Sequence, residues 1–151
     1  MILIVEDHTA VRRSLREWLE AVFPWCHIVE AASGEEAIAA VQAEAPNAVL
    51  MDISLPGING IETTRRIKAA LPATPVVILT IHEADAYRAD ALAAGASAYI
   101  PKRVMHTELI PALAVLLPAW GGQAASSPRM NSRSETSNAP RRVGANPLER
   151  V

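Results

Sequence analysis

The sequence is poor in cysteine, aromatic residues and unbroken apolar runs, and each shortage removes a class of function. Cys26 is the only cysteine, which excludes an internal disulfide and a thiolate metal cluster and fits a reducing cytosol. Aromatics make up 4% of the 151 residues and hydrophobic residues 50%, so Ala, Val, Ile and Leu must build the core. The longest nearly apolar stretch, residues 109–120, is broken by Pro111 and Pro118 and falls short of the about 20 residues that span a bilayer. Met1 to Val5 is apolar but runs straight into Glu6 and Asp7 with no basic leader. Together these features predict a soluble, cytoplasmic chain without membrane contact.

Positive charge is also scarce where it would matter for nucleic acid. The whole chain has a formal net charge of −2, but residues 121–151 hold five arginines against two glutamates, which leaves the first 120 residues at −5. Duplex affinity rests largely on cationic contacts to phosphates, so direct nucleic-acid binding by that acidic part is not expected.

Five short apolar runs rich in branched residues alternate with helical patterns, at 2–5, 27–31, 48–53, 76–80 and 98–100. Val11, Leu15, Trp18, Leu19 and Val22 fall on one face of a first helix. Ser33-Gly34-Glu35-Glu36 is a capping-box pattern that opens a second, which Pro46 stops. Helices are expected over 60–71, 84–94 and 107–117, the fourth ended by Gly95 in the left-handed cap and the fifth carrying Pro111 near its start. Such alternation predicts an α/β fold, a parallel five-stranded sheet with helices on both faces. The first, third and fourth runs are apolar throughout, as strands buried on both sides should be, and Pro101 suits an edge strand. A folded domain is expected over residues 1–120. Gly, Ala, Ser, Asn, Pro and Arg dominate 121–151, which reads as a disordered tail with too few apolar residues for a helix-turn-helix core.

Ligands of open parallel sheets sit beyond the carboxyl ends of the strands. There the first run delivers Glu6 and Asp7, the third Asp52, the fourth Thr80 and the fifth Lys102. Three clustered carboxylates repel one another unless a cation compensates them, and an all-oxygen site favours Mg²⁺. A carboxylate beside Mg²⁺ and a lysine is placed to attack phosphorus and form an acyl phosphate. Plainer roles exist: Glu6, Asp7 and His8 as helix caps, Thr80 as an ordinary strand residue, Lys102 as a solvated charge. Asp52 fits them least, since an acid ending Ala48-Val49-Leu50-Met51 is costly without a partner.

The motifs Ile-Leu-Ile-Val-Glu-Asp-His at 2–8, Met-Asp-Ile-Ser-Leu-Pro-Gly-Ile-Asn-Gly at 51–60, Ile-Leu-Thr at 78–80 and Ala-Gly-Ala-Ser-Ala-Tyr-Ile-Pro-Lys at 94–102 resemble those of response-regulator receiver domains, the CheY-like family. That resemblance, and not derivation, implies a flavodoxin-like (βα)5 sandwich of strand order 2-1-3-4-5. It further implies that Asp52 accepts a phosphoryl group from a histidine kinase or phosphotransfer protein, as a two-component switch that catalyses only its own phosphorylation and dephosphorylation. By the same resemblance Asp7 and Asp52 bind Mg²⁺ with Glu6 alongside and the Ser54 carbonyl as a further ligand. Lys102 and Thr80 contact the phosphoryl group, and Thr80 and Tyr99 form the switch pair, although a half-buried edge-strand aromatic remains compatible with Tyr99. A downstream protein would dock on the face of the fourth helix and fifth strand, the face through which two copies of a receiver often pair.

Three features depart from the common receiver pattern. Arg103 follows Lys102 where many receivers have proline, Ile81 is bulky where many have a small residue, and Ser54 and His82 occupy positions that tune phosphate lifetime. The Thr-Ile-His segment is similar to the LuxR-type (NarL/FixJ) subfamily of transcription regulators, which makes a DNA-binding regulator, truncated at its output domain, one alternative. A Mg²⁺-dependent aspartyl-phosphate phosphatase of the haloacid-dehalogenase type is a weaker one, because Ser54 stands where its second acid is wanted.

Overall fold

A computed structural model of the chain describes residues 1–120; the tail expected over 121–151 lies outside the described residues. Strands β1 (Ile2–Val5), β2 (Ile28–Ala31), β3 (Ala48–Met51), β4 (Val76–Thr80) and β5 (Ala98–Pro101) alternate with helices α1 (Thr9–Val22), α2 (Gly34–Ala43), α3 (Gly60–Ala70), α4 (Asp85–Ala93) and α5 (Met105–Leu116). The strands form one parallel sheet in the order β2-β1-β3-β4-β5. Every residue of β1, β3 and β4 is buried, whereas the edge strands β2 and β5 are buried only in part. The continuous apolar runs are therefore the central strands.

Alternation along each strand divides the core into two layers. Leu3, Val5, Val49, Met51, Val76, Ile78 and Tyr99 pack with Ala37, Val41, Ile61, Ile67 and Ala91 of α2, α3 and α4. Ile2, Ile4, Leu50, Val77, Leu79 and Ile100 face the other way, onto Leu15, Leu19, Leu109 and Leu113 of α1 and α5. Burying such side chains, at about 1.5–3 kcal/mol each, is what drives the assembly.

The helix boundaries follow local chemistry. The Ser33 hydroxyl accepts the Glu36 amide at 3.1 Å while Glu36 Oε2 accepts the Ala32 amide at 2.7 Å, so the expected reciprocal cap forms, displaced by one residue on its return arm. Gly95 takes φ +104° after α4, a conformation costly for any residue with a Cβ. The fifth helix departs from expectation. A 3-10 turn, Lys102–Val104, feeds into it two residues early, so Pro111 lies in mid-helix, where it removes one backbone donor.

Candidate functional site

β1 and β3 are neighbours in register, with Val5 opposite Met51, so the residues that follow emerge side by side. The Glu6 amide donates to the Ala31 carbonyl at 3.0 Å and the Asp52 amide to the Val5 carbonyl at 2.9 Å. Backbone pairing thus extends one residue past each strand and plants two carboxylates at the sheet edge. Glu6 is only 2% exposed and Asp52 5%, while Asp7 faces solvent. Glu6, Asp7 and Asp52 each offer a carboxylate oxygen, all within 4.8 Å of one another. Opposite oxygens of an octahedron with bonds of about 2.1 Å stand about 4 Å apart, so this all-oxygen set could hold a small hard cation.

Gly60 fixes the other side of Asp52. Its amide donates to the Ile53 carbonyl at 2.8 Å, and a Cβ built there would stand 1.9 Å from the Asp52 carbonyl oxygen. No other residue type fits the close approach of α3 to this loop.

Lys102, just past β5, reaches across the cluster. Its Nζ donates to Glu6 Oε2 at 2.6 Å and to Asp52 Oδ2 at 3.2 Å, and its side chain is 18% exposed. Burial pushes the Glu6 carboxyl above the ordinary carboxylate range, with the Asp52 charge adding to the rise and Lys102 opposing it. Burial works against the Lys102 ammonium, but the Glu6 hydrogen bond and the charges of Asp52 and Glu6 outweigh it and hold its pKa above that of a free lysine. Ion pairing is what makes these buried charges tolerable.

Thr80 is fully buried at the end of β4. Its hydroxyl accepts the His82 amide at 3.1 Å and has no hydrogen bond to Asp52 or Lys102 among the described residues. His82 gathers three further contacts. Its Nε2 lies 2.7 Å from Ser54 Oγ, its carbonyl accepts the Tyr99 hydroxyl, and its ring stacks on Tyr87 of α4 at 4.5 Å. Tyr99 is 6% exposed, with Arg88 lying 5.0 Å above its ring centre; burial raises the Tyr99 pKa and the Arg88 charge opposes the rise. Tyr99 is thus an inward-facing core residue, more buried than the alternative of a half-buried edge-strand aromatic. The Ser54 amide donates weakly to Asp52 Oδ1, at 3.4 Å.

Six of the seven sequence-derived site residues, Glu6, Asp7, Asp52, Ser54, Thr80 and Lys102, therefore lie at one end of the sheet, while Tyr99 sits within β5 opposite Ile78 and reaches that end through its hydroxyl bond to the His82 carbonyl. The plainer role of Lys102 fails, since it is paired and not solvated. The capping role holds in part: His8 is the N-cap of α1, without a side-chain cap bond of its own, and Glu6 Oε1 accepts the His8 amide at 3.1 Å. Arg12 was not legible as part of the site: its Nη1 donates to the Glu6 carbonyl at 2.7 Å. In sequence it looks like one more charge on the outer face of α1. The Ser54–His82 bridge was also missed, although both positions stood out singly.

The family description "Response regulator receiver domain" matches residues 2–114. The Escherichia coli O6:H1 protein named Response regulator UvrY is 36% identical over 112 residues, 74% of this chain and 51% of that protein. Transcriptional activator protein ExaE of Pseudomonas putida is 42% identical over 101 residues, 67% of this chain and 47% of its own length. The chain thus spans about half the length of the curated relatives it matches. Among solved structures, a CheY-like receiver domain protein from Methanospirillum hungatei JF-1 superposes with TM-score 0.72 at 30% identity, covering 81% of this chain and 96% of that one. A LuxR-family response regulator from Aurantimonas sp. SI85-9A1 does so with TM-score 0.70 at 35% identity, over 78% of this chain and 84% of that one.

Proposed function

The chain belongs to the response-regulator receiver family, and we propose that Asp52 is its phosphoryl acceptor, in a cytoplasmic two-component switch. The observation that carries this reading is the placement of Lys102 Nζ 3.2 Å from Asp52 Oδ2, inside a cluster of three carboxylates. Asp7, Asp52 and the Ser54 carbonyl would hold Mg²⁺, with Glu6 beside them. The metal, when bound, offsets negative charge on the phosphoryl oxygens.

The chain's own groups do the rest. An Asp52 carboxylate oxygen bonds to phosphorus as the bond from phosphorus to the donor breaks, and that electron pair leaves with the donor. For a phosphohistidine donor it leaves on an imidazole nitrogen; for acetyl phosphate it leaves on acetate. Lys102 exchanges part of its contact with Glu6 for a charge-assisted bond to a phosphoryl oxygen. Thr80 donates a hydrogen bond from its hydroxyl to another, giving up its bond from the His82 amide. Because His82 also accepts the Tyr99 hydroxyl, that move re-sets the α4–β5 surface for a downstream protein or a second copy. On this reading the protein is a switch and not a turnover enzyme. Its kinase or phosphotransfer donor supplies the signal.

Incubation with acetyl phosphate and Mg²⁺ tests the chemistry: the product should be an acyl phosphate, cleaved by hydroxylamine, and should not form in excess chelator. A label that resists hydroxylamine would contradict it.

The name of one relative, Transcriptional activator protein ExaE, supports a second reading, that these residues serve a transcription regulator. UvrY and ExaE match over only about half their lengths, so DNA binding would belong to the remainder. The charge of −5 on residues 1–120 does not favour it in the receiver itself. A specific, salt-sensitive gel shift by this chain would.

A further inference from the structure

We propose that Arg12 is a positioning residue for the carboxylate pocket, holding Asp7 in its ligating direction from behind, with Glu30 fixing Arg12 in turn. The inference rests on the reading of that pocket as a cation and phosphoryl site.

Asp7 is exposed, and among the described residues its carboxylate accepts no hydrogen bond. Its direction is therefore set by the backbone. Arg12 lies one turn into α1, and long helical side chains fold back toward the N-terminus. There Nη1 donates to the Glu6 carbonyl at 2.7 Å and, at the long limit, to the Asp7 carbonyl at 3.5 Å. Those two carbonyls belong to the two peptide units that flank the Asp7 Cα. Peptide units are planar and rigid, so holding both oxygens restrains both backbone torsions of Asp7 and with them its Cα–Cβ direction. The carbonyls are turned toward α1, which leaves the carboxylates of Glu6 and Asp7 free to face Asp52.

Glu30 completes the arrangement. It sits on β2 beside β1, opposite Ile4, and its Oε1 accepts Arg12 Nε at 3.2 Å. A guanidinium can serve a carboxylate and a carbonyl at once through its planar fork; an ammonium on a flexible stem cannot hold the same geometry. Burial separates Arg12 from its neighbour: the Arg12 side chain is 16% exposed, against 41% for Arg16, which binds the same Glu30 without reaching the loop.

The sign of the effect distinguishes positioning from simple electrostatics. Removing a positive charge near a dication should tighten cation binding. Removing a positioning group should weaken it, by about tenfold if Arg12 acts like other groups that orient metal ligands.

The test is titration calorimetry of Mg²⁺, without phosphodonor, on wild type, Arg12→Ala, Arg12→Lys and Arg16→Ala. We expect weaker binding in both Arg12 variants and wild-type or slightly tighter binding in Arg16→Ala; the lysine variant reads the same loss should the alanine variant not fold. Arg12 variants that bind as tightly as wild type, or an Arg16 variant that loses as much, would overturn the role. If wild type binds Mg²⁺ and takes up phosphoryl, such a result removes Arg12 alone. If wild type does neither, the reading of the pocket fails and this inference with it.

Discussion

Lys102 is bound more closely to Glu6, at 2.6 Å, than to Asp52, at 3.2 Å. The lysine is thus anchored by the carboxylate that we do not assign as acceptor, and the weaker contact is the one that chemistry would use. Replacing Lys102 with Ala leaves Glu6 and Asp52 buried without a cation. Mg²⁺-free urea unfolding should show a loss of about 1–3 kcal/mol, with part of it restored by added Mg²⁺. Equal losses with and without the metal would contradict a shared site.

Gly60→Ala forces a Cβ against the Asp52 carbonyl oxygen, at 1.9 Å if nothing moves. Relief requires a shift of α3 or of the Asp52 loop, at about 1–3 kcal/mol as for other overpacked sites. The urea midpoint should fall and acetyl-phosphate labelling should slow. A variant as stable and as readily labelled as wild type would show that the loop yields freely.

The Ser54–His82 bridge spans the side of the pocket next to Asp52. Opening it should expose the phosphoryl group to water and speed its loss. Contacting residues couple by about 0.5 kcal/mol or more, so Ser54→Ala and His82→Ala should each accelerate decay by at least about twofold. The double variant should be no faster than the faster single one. Fully multiplicative effects, followed by the mass of the phosphorylated species over time, would show that the two act apart.

The alternation of strands and helices, the buried central strands and the strand-end placement of Glu6, Asp7, Asp52, Thr80 and Lys102 were legible because each depends on local pattern, whereas the strand order, Ser54 and Tyr99 came only through the family resemblance. Unbroken apolar runs mark strands covered on both faces, and a charged residue directly after such a run has few places to go but the site. Contacts between distant segments were not. Arg12 meets the carbonyls of Glu6 and Asp7 only because α1 folds back over its own loop, and backbone carbonyls leave no mark in sequence. His82 meets Ser54 across 28 positions. The early start of α5 was hidden by Pro111, which tertiary packing of Leu109 and Leu113 holds inside the helix.

Glu30 offers a pH test of the α1–β2 surface. Its hydrogen bond to Arg16 holds its carboxyl below the ordinary value of 4.5, with the Arg16 and Arg12 charges adding to the effect against partial desolvation. A lowered folded-state pKa contributes stability that is fully present above 4.5 and is lost as pH falls through the lowered value. Glu30→Gln should therefore be less stable than wild type at neutral pH, modestly so for an exposed pair, and the gap should close on acidification. A gap that stays constant down to pH values below the ordinary carboxylate range would contradict it.

The central claim, that Asp52 takes the phosphoryl group, is met most directly by intact-mass spectrometry of wild type and Asp52→Asn after treatment with acetyl phosphate and Mg²⁺. The account predicts one added phosphoryl mass on wild type and none on the variant. The same mass gain on both would place the chemistry on another residue.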